Sequence, residues 1–259
     1  VTNEPAPSAE NFTGRRVLVT GGSRGLGRAT AVAYLNAGAV VTACARREPE
    51  EPVTAGDRTA HFVAADVRDT NAIPSMVTKA AELMGGIDIL INNAGGSPGA
   101  AAADSRGSFN EKIIGLNLVG PMNVSIVAHE HLAKSDHGGV IINIASISGM
   151  RANPMGVAYG AAKAGLINMS QTLALEWGPA IRVLTVSAGP LMTDANADHF
   201  DRAERERLAS SMALQRMGTS TDVVEAILFA TSDRASWMSG SNIVVDGGPE
   251  WPANGHQRR

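Results

Sequence analysis

Tyr159 and Lys163 stand four positions apart in the stretch AYGAAKAG. On a helix that spacing puts both side chains on one face, a turn apart. A free phenol, with a pKa of about 10, is a poor proton donor or acceptor at neutral pH. A neighbouring ammonium favours the phenolate and brings the group toward the range that acid–base catalysis uses. Ser146 closes the apolar run VIINIAS thirteen residues earlier, where its hydroxyl can hydrogen-bond a substrate carbonyl beside the tyrosine. A Tyr-x-x-x-Lys pair alone is common on ordinary helix surfaces, so its weight comes from what surrounds it.

A second signal is TGGSRGLG, residues 20–27, set between a predicted strand and a predicted helix. Glycines there let backbone N–H groups approach a pyrophosphate, and the helix behind offers unpaired N–H groups and its positive dipole end. The spacing is Gly21-x3-Gly25-x-Gly27, with Ser23, Arg24 and Leu26 between. Dinucleotide sites that take NAD place an acid at the end of the second strand, against the ribose 2′-OH. Here that strand ends Cys44-Ala45-Arg46-Arg47. Guanidinium groups bind a 2′-phosphate with charge-assisted, often bidentate hydrogen bonds. Arg46 and Arg47, with Arg24 in reach, therefore favour NADP(H). A third stretch, NNAG at 92–95, ends another apolar run; its asparagines suit tying strands together, and Gly95 permits close approach of a ring.

These residues need a scaffold that gathers strand ends. Short apolar runs alternate with helical patterns along the chain. Strands are predicted at 15–20, 39–45, 60–67, 87–95, 140–146, 181–187 and 241–248. Helices are predicted at 27–38, 71–85, 107–134, 156–177, 197–214 and 221–232. Gly38 is read as the stop of the first helix, and Pro74 falls in the first turn of the second. Seven strands, mostly apolar on both faces, mean a parallel sheet covered on both sides. The expected architecture is α/β: a doubly wound, seven-stranded parallel sheet of Rossmann type in a single domain, 14–248. Polar tails, 1–13 and 249–259, flank it.

Composition excludes several classes. A net charge of −3 gives no footprint for nucleic acid. One cysteine, Cys44, rules out an internal disulfide and a multi-cysteine zinc site, and reads as a buried thiol. His129 and His131 would lie about 200° apart on a helix and cannot share an ion; His61, His137, His199 and His256 have no partner pattern. No metal is expected. With no targeting segment and no long apolar run, the expectation is a cytoplasmic protein without a membrane span.

With these motifs in hand, the chain is identified as resembling the short-chain dehydrogenase/reductase family over roughly residues 14–248. The resemblance rests on TGGSRGLG, ADV (65–67), NNAG, GLNLVG (115–120), IINIASISG (141–149), YGAAK (159–163), SAGPLMT (187–193) and WMSGSNIVVDGG (237–248), in the family's order. It implies a catalytic set of Asn117, Ser146, Tyr159 and Lys163. In that set Tyr159 exchanges a proton with the substrate oxygen, Ser146 stabilises that oxygen, Lys163 binds the nicotinamide ribose and tunes the tyrosine, and Asn117 helps hold a water. It implies cofactor contacts at Asp66 and Val67 (adenine), at Asn93, Ala94 and Gly95, and at Gly189 and Thr193. Ala188 stands where the family commonly has proline. The implied reaction is hydride transfer between NADP(H) and a ketone or secondary alcohol.

Within the family, SSMALQRMG (210–218) is similar to 3-oxoacyl-[acyl-carrier-protein] reductases, and a 3-oxoacyl thioester is one expected substrate among small and medium carbonyl compounds. The alternatives are an NAD-dependent secondary-alcohol or steroid-type dehydrogenase, and a dinucleotide-binding regulator without catalysis. Ser148, Met150, Arg151, Asn153, Met155 and the loop 95–105 are expected around the substrate. Residues 191–218 are expected to cover it, with Phe200, Leu208, Met212 and Leu214 facing inward. The resemblance also implies a homotetramer built on the long central helices. Gly160, Ala161, Ala162, Ala164 and Gly165 are read as the close-approach face of one of them.

Overall fold

The β-branched run RVLVT forms strand β1 (Arg16–Thr20), whose last four residues are buried. The computed structural model describes residues 10–195 and 201–248. After β1 the glycine loop feeds helix α1 (Gly25–Asn36). The helix is stopped where Gly38 adopts φ +94° and a Cβ would lie 2.6 Å from Thr13 Oγ1, so only glycine fits. Then follow β2 (Val40–Ala45), a two-residue antiparallel pair β3 (Thr54–Ala55) and β4 (Arg58–Thr59), and β5 (His61–Ala64). Helix α2 (Ala72–Met84) ends on left-handed Gly85 and leads to β6 (Ile89–Asn92).

Helix α3 (Gly107–Ile114) runs through a π-helical segment, Gly115–Val119, into α4 (Gly120–Ala133). Strand β7 (Gly139–Ser146) precedes α5 (Val157–Trp177) and β8 (Ile181–Ala188). Last come β9 (Leu191–Met192), α6 (Arg202–Ser211), β10 (Gly218–Thr219), α7 (Ser220–Thr231) and β11 (Asn242–Val245). Thr219 and Asp222 cap α7 reciprocally, and Arg216 grips both Asp222 oxygens at 2.7 Å.

The main sheet has seven strands in the order β11-β8-β7-β6-β1-β2-β5, every pairing parallel. This is the doubly wound fold expected from the alternation. One apolar layer joins Phe12, α1 and α7 to the sheet; the other joins α2, α4 and α5 to its opposite face. In the first layer Tyr34 packs edge-on against Phe12 and hydrogen-bonds Thr231 at 2.7 Å. At the amino ends of the strands the buried Asp88 carboxylate holds Arg16 through its backbone N–H, Nε and Nη2, and accepts from Ser135.

Several boundaries differ from the sequence reading. The run 60–67 is strand only over His61–Ala64, because Asp66 turns the chain by accepting a hydrogen bond from Arg68 N. The helix expected over 107–134 is broken at Gly115–Val119, where Asn117 spends its amide on Ile113 O and on both backbone groups of Gly96. Helical structure expected over 197–214 is seen at Arg202–Ser211; residues 196–200, including His199 and Phe200, lie outside the described residues, as do 1–9 and 249–259 with His256.

The small-residue face of α5 also needs correction. Gly160 sits against Ser148 O, Gly165 against the Leu118 side chain, and Ala162 is buried, so these three pack within the chain. Only Ala161 and Ala164 of that group are exposed. No helix among the described residues is long and apolar enough to cross a membrane.

Candidate active site

Strand β1 pairs with β2 on one side and β6 on the other, so the order of the chain reverses there. In open α/β sheets, ligands bind beyond the carboxyl ends of strands at such a point. NNAG forms one wall of it. Asn93 donates from Nδ2 to Thr20 O at 3.0 Å and Gly21 O at 3.2 Å, while Thr20 Oγ1 accepts from Asn93 N and Ala94 N. Asn92 ties β6 to β7 through Asn143 Oδ1 at 2.8 Å and to α4 through Ser125. Asn143 continues to Ser170 on α5.

A cleft of about 1410 Å³ opens at this point. The sequence-predicted residues Gly21, Ser23, Arg24, Gly25, Leu26, Gly27, Arg46, Arg47, Asp66, Val67, Asn93, Ala94, Gly95, Ser146, Tyr159, Lys163, Gly189 and Thr193 all line it. Asn117 does not. It is fully buried behind the wall, bracing Gly96. Ser148, Met150, Arg151, Asn153 and Met155 lie outside the cleft lining, on the segment between β7 and α5 that flanks its tyrosine end. Met155 takes φ +67° and its carbonyl accepts from Ala100 N at 2.8 Å, which joins that segment to the loop after β6. Cys44 is on the cleft floor, yet burial pushes its thiol up to about 12, as suits an inert structural cysteine. His129 meets Trp177 edge-on.

The electrostatics are set by burial. Lys163 is 3% exposed, and desolvation lowers its pKa to about 8. Its Nζ donates to Ile144 O at 2.7 Å and lies 5.7 Å from the centre of the Tyr159 ring. Burial raises the Tyr159 phenol above its ordinary value, and interaction with Ser146 pulls it partly back. Lys163 is not among the causes of the tyrosine shift, although the sequence suggested that it would lower the phenol; its ammonium is directed to the Ile144 carbonyl. Asp66 is held below the usual carboxylate range, first by the Arg68 side chain, with Arg46 adding to the field. Sequence reasoning missed Arg68, which also lines the cleft; a cation two residues past the acid that follows β5 was the available signal.

The residues fit a dinucleotide. A Cβ on Gly27 would lie 2.2 Å from Gly21 O, and one on Gly21 would press on Asn93 and Ala94, so the loop is bare backbone packed tight. A Cβ on Gly95 would lie 2.8 Å from Asn117 Oδ1 and 3.2 Å from Lys163 Nζ, so that wall is flat enough for a ring. Arg46 and Arg47 follow β2, next to the edge strand β5, and line the cleft with Arg24, Arg68, Glu48 and Glu50. Ser146 ends β7, on the other side of β1 and β6, and lines the same cleft with Tyr159. The volume exceeds the ~300–1,000 Å³ usual for drug-sized ligands, as an extended two-nucleotide molecule requires.

Comparison with known proteins agrees with this geometry. Residues 21–250 match the family model described as enoyl-(acyl carrier protein) reductase. The chain is 34% identical to L-rhamnose 1-dehydrogenase (NAD(P)(+)) of Azotobacter vinelandii, over 90% of this chain and 96% of that one. It is 30% identical to glucose 1-dehydrogenase of Gluconobacter oxydans, over 94% and 95%. A solved short-chain dehydrogenase of Burkholderia cenocepacia in complex with NADP has a TM-score of 0.82 at 32% identity, covering 92% of this chain and 98% of that one. The protein belongs to the short-chain dehydrogenase/reductase family. It is an oxidoreductase of CH–OH and C=O groups that uses a dinucleotide cofactor.

Proposed function

We propose that the protein transfers hydride between NADP(H) and a secondary alcohol or ketone, with Tyr159 as the acid and base. The observation that carries this reading is that Ser146, Tyr159 and Lys163 open into the same cleft as the glycine loop. The glycine loop would hold the pyrophosphate, Asp66 and Val67 the adenine, and Arg24, Arg46 and Arg47 the 2′-phosphate. Asn93, Ala94, Gly95, Gly189 and Thr193 would line the nicotinamide half. The bound cofactor supplies or accepts the hydride.

In the reductive direction Tyr159 Oη gives its proton to the carbonyl oxygen as that oxygen gains charge, while the Ser146 hydroxyl donates a hydrogen bond to the same atom. In the oxidative direction the phenolate takes the alcohol proton. The buried Lys163 ammonium would bind the ribose beside the tyrosine and favour the phenolate. Asn117 positions the Gly95–Gly96 wall from behind.

The substrate reading favours a polyhydroxylated alcohol of the aldose or polyol type. Two relatives that span nearly the whole chain are named as sugar 1-dehydrogenases, and Ser148 and Asn153 flank the tyrosine end. A 3-oxoacyl thioester is the second reading, resting on the SSMALQRMG stretch. The test is a panel of aldoses and polyols with NADP⁺ or NAD⁺, and of 3-oxoacyl thioesters and simple ketones with NADPH or NADH, followed by reduced-nicotinamide absorbance. Turnover of aldoses is expected; turnover of thioesters alone would reverse the order. Failure of every compound, with NADPH still bound, would favour a regulator.

A further inference from the structure

The amino end of α1 already carries an anion. Asp194, on the segment that follows β9, accepts a hydrogen bond from Gly25 N at 3.0 Å through Oδ1. Gly25 is the first residue of α1 and takes φ +56°. The segment lies close on it: a Cβ there would be 3.2 Å from Ala195 Cβ, 3.7 Å from Thr193 Oγ1 and 3.9 Å from Asp194 Oδ1. The helix supplies no alternative, since its N-cap residue Arg24 makes no side-chain cap and its first turn holds no acid. Unpaired N–H groups and the dipole make this end a seat for an anion.

We propose that the Asp194 carboxylate occupies the pyrophosphate seat and must leave it when the dinucleotide binds. The inference rests on the cofactor reading above and adds to it a residue that sets cofactor affinity. Two anions cannot share one N–H donor, and a carboxylate against a pyrophosphate repels it. Asp194 is exposed in an open cleft, so its bond to Gly25 is of the modest kind that a multiply charged ligand can replace. Asp194 thus lowers affinity for the dinucleotide while holding the glycine loop in one arrangement.

The test uses the full chain and measures NADPH binding by calorimetry, with inorganic pyrophosphate as a second probe. Asp194→Asn keeps the size of the side chain and removes its charge. It is expected to bind NADPH about tenfold more tightly than wild type and to be inhibited by pyrophosphate at lower concentration. Asp194→Glu, which restores the charge on a longer arm, is expected to fall back toward wild type. Hydrogen exchange at 191–195 in the wild type should speed up when NADPH or pyrophosphate is added. Equal or weaker NADPH binding by Asp194→Asn, with wild type binding normally, would overturn the exchange. Absence of dinucleotide binding in all three proteins would overturn the cofactor reading beneath it.

Discussion

Lys163 shows most clearly what the site costs the fold. Its ammonium is buried with a single hydrogen bond, to Ile144 O, and its pKa falls from 10.5 to about 8. At neutral pH a shift of that size corresponds to roughly 3 kcal/mol of burial penalty. Lys163→Met keeps the length and removes the charge, at the loss of one hydrogen bond worth about 1 kcal/mol. The variant should melt a few degrees above wild type at pH 7 and lose turnover. The folded pKa is depressed, so the penalty is complete below pH 8, shrinks as the pH rises from there, and is gone above the unfolded value near 10.5. The difference in melting temperature should therefore close over that window; a lower melting temperature at pH 7 would show that the hydrogen bond outweighs the charge. Tyr159→Phe should reduce kcat by at least about a thousandfold and leave the NADPH Kd within about twofold, read by stopped-flow and calorimetry. Retained turnover would remove the phenol from the proton path. The convergence of Tyr159, Ser146 and Lys163 was legible because helix spacing and strand ends are local. The direction of the tyrosine shift was not, since it depends on burial under residues distant in sequence.

At the scale of elements, the proposed reading puts cofactor choice at the strand ends. Arg46 and Arg47 follow β2 directly, and both are exposed on the rim of the cleft with Arg24 and Arg68. Arg46→Asp places an acid where a ribose 2′-OH would be bound and a 2′-phosphate repelled. The ratio of kcat/KM for NADP⁺ to that for NAD⁺ should fall by about a hundredfold; an unchanged ratio would put the 2′-phosphate elsewhere. The turn between β1 and α1 is less forgiving. Gly27→Ala forces a methyl to within 2.2 Å of Gly21 O and 2.4 Å of Asn93 Nδ2. Soluble yield or NADPH affinity should drop sharply, and a variant with both intact would mean that the loop can open. All seven main strands were legible from short apolar runs. The two-residue pairs β3–β4 and β9–β10 were not, because two residues hold no period. The π-helical break at Gly115–Val119 was also missed, because its cause is Asn117 reaching Gly96 across the fold rather than a local breaker.

At the scale of the molecule, the parallel sheet was legible as a whole, while three of the five small residues expected on the outer face of α5 turn inward. Gly160, Ala162 and Gly165 pack inward, and the exposed side of α5 instead runs Val157, Ala161, Ala164, Asn168, Gln171, Leu175. That is an alternating spacing of four and three, which keeps one stripe facing outward along the helix. Val157 is 54% exposed and Leu175 87%. On α4, Ile126 is also 54% exposed. Trp237, on the segment before β11, is fully exposed, and Val244 of β11 is 42% exposed, a second set of exposed apolar side chains. Two such sets on one chain suit a homotetramer with two kinds of two-fold contact, as the family resemblance implies. Sedimentation should give a tetramer for the wild type. Ala164→Glu, which puts a charge in the middle of the α5 stripe, should yield a dimer with its melting temperature lowered. Trp237→Asp should yield a different dimer, and the double variant a monomer. Because Ala164 and Trp237 lie outside the cleft lining, NADPH binding to these smaller species separates assembly from the site. A monomeric wild type would overturn the tetramer and leave the exposed stripe of α5 without an interface.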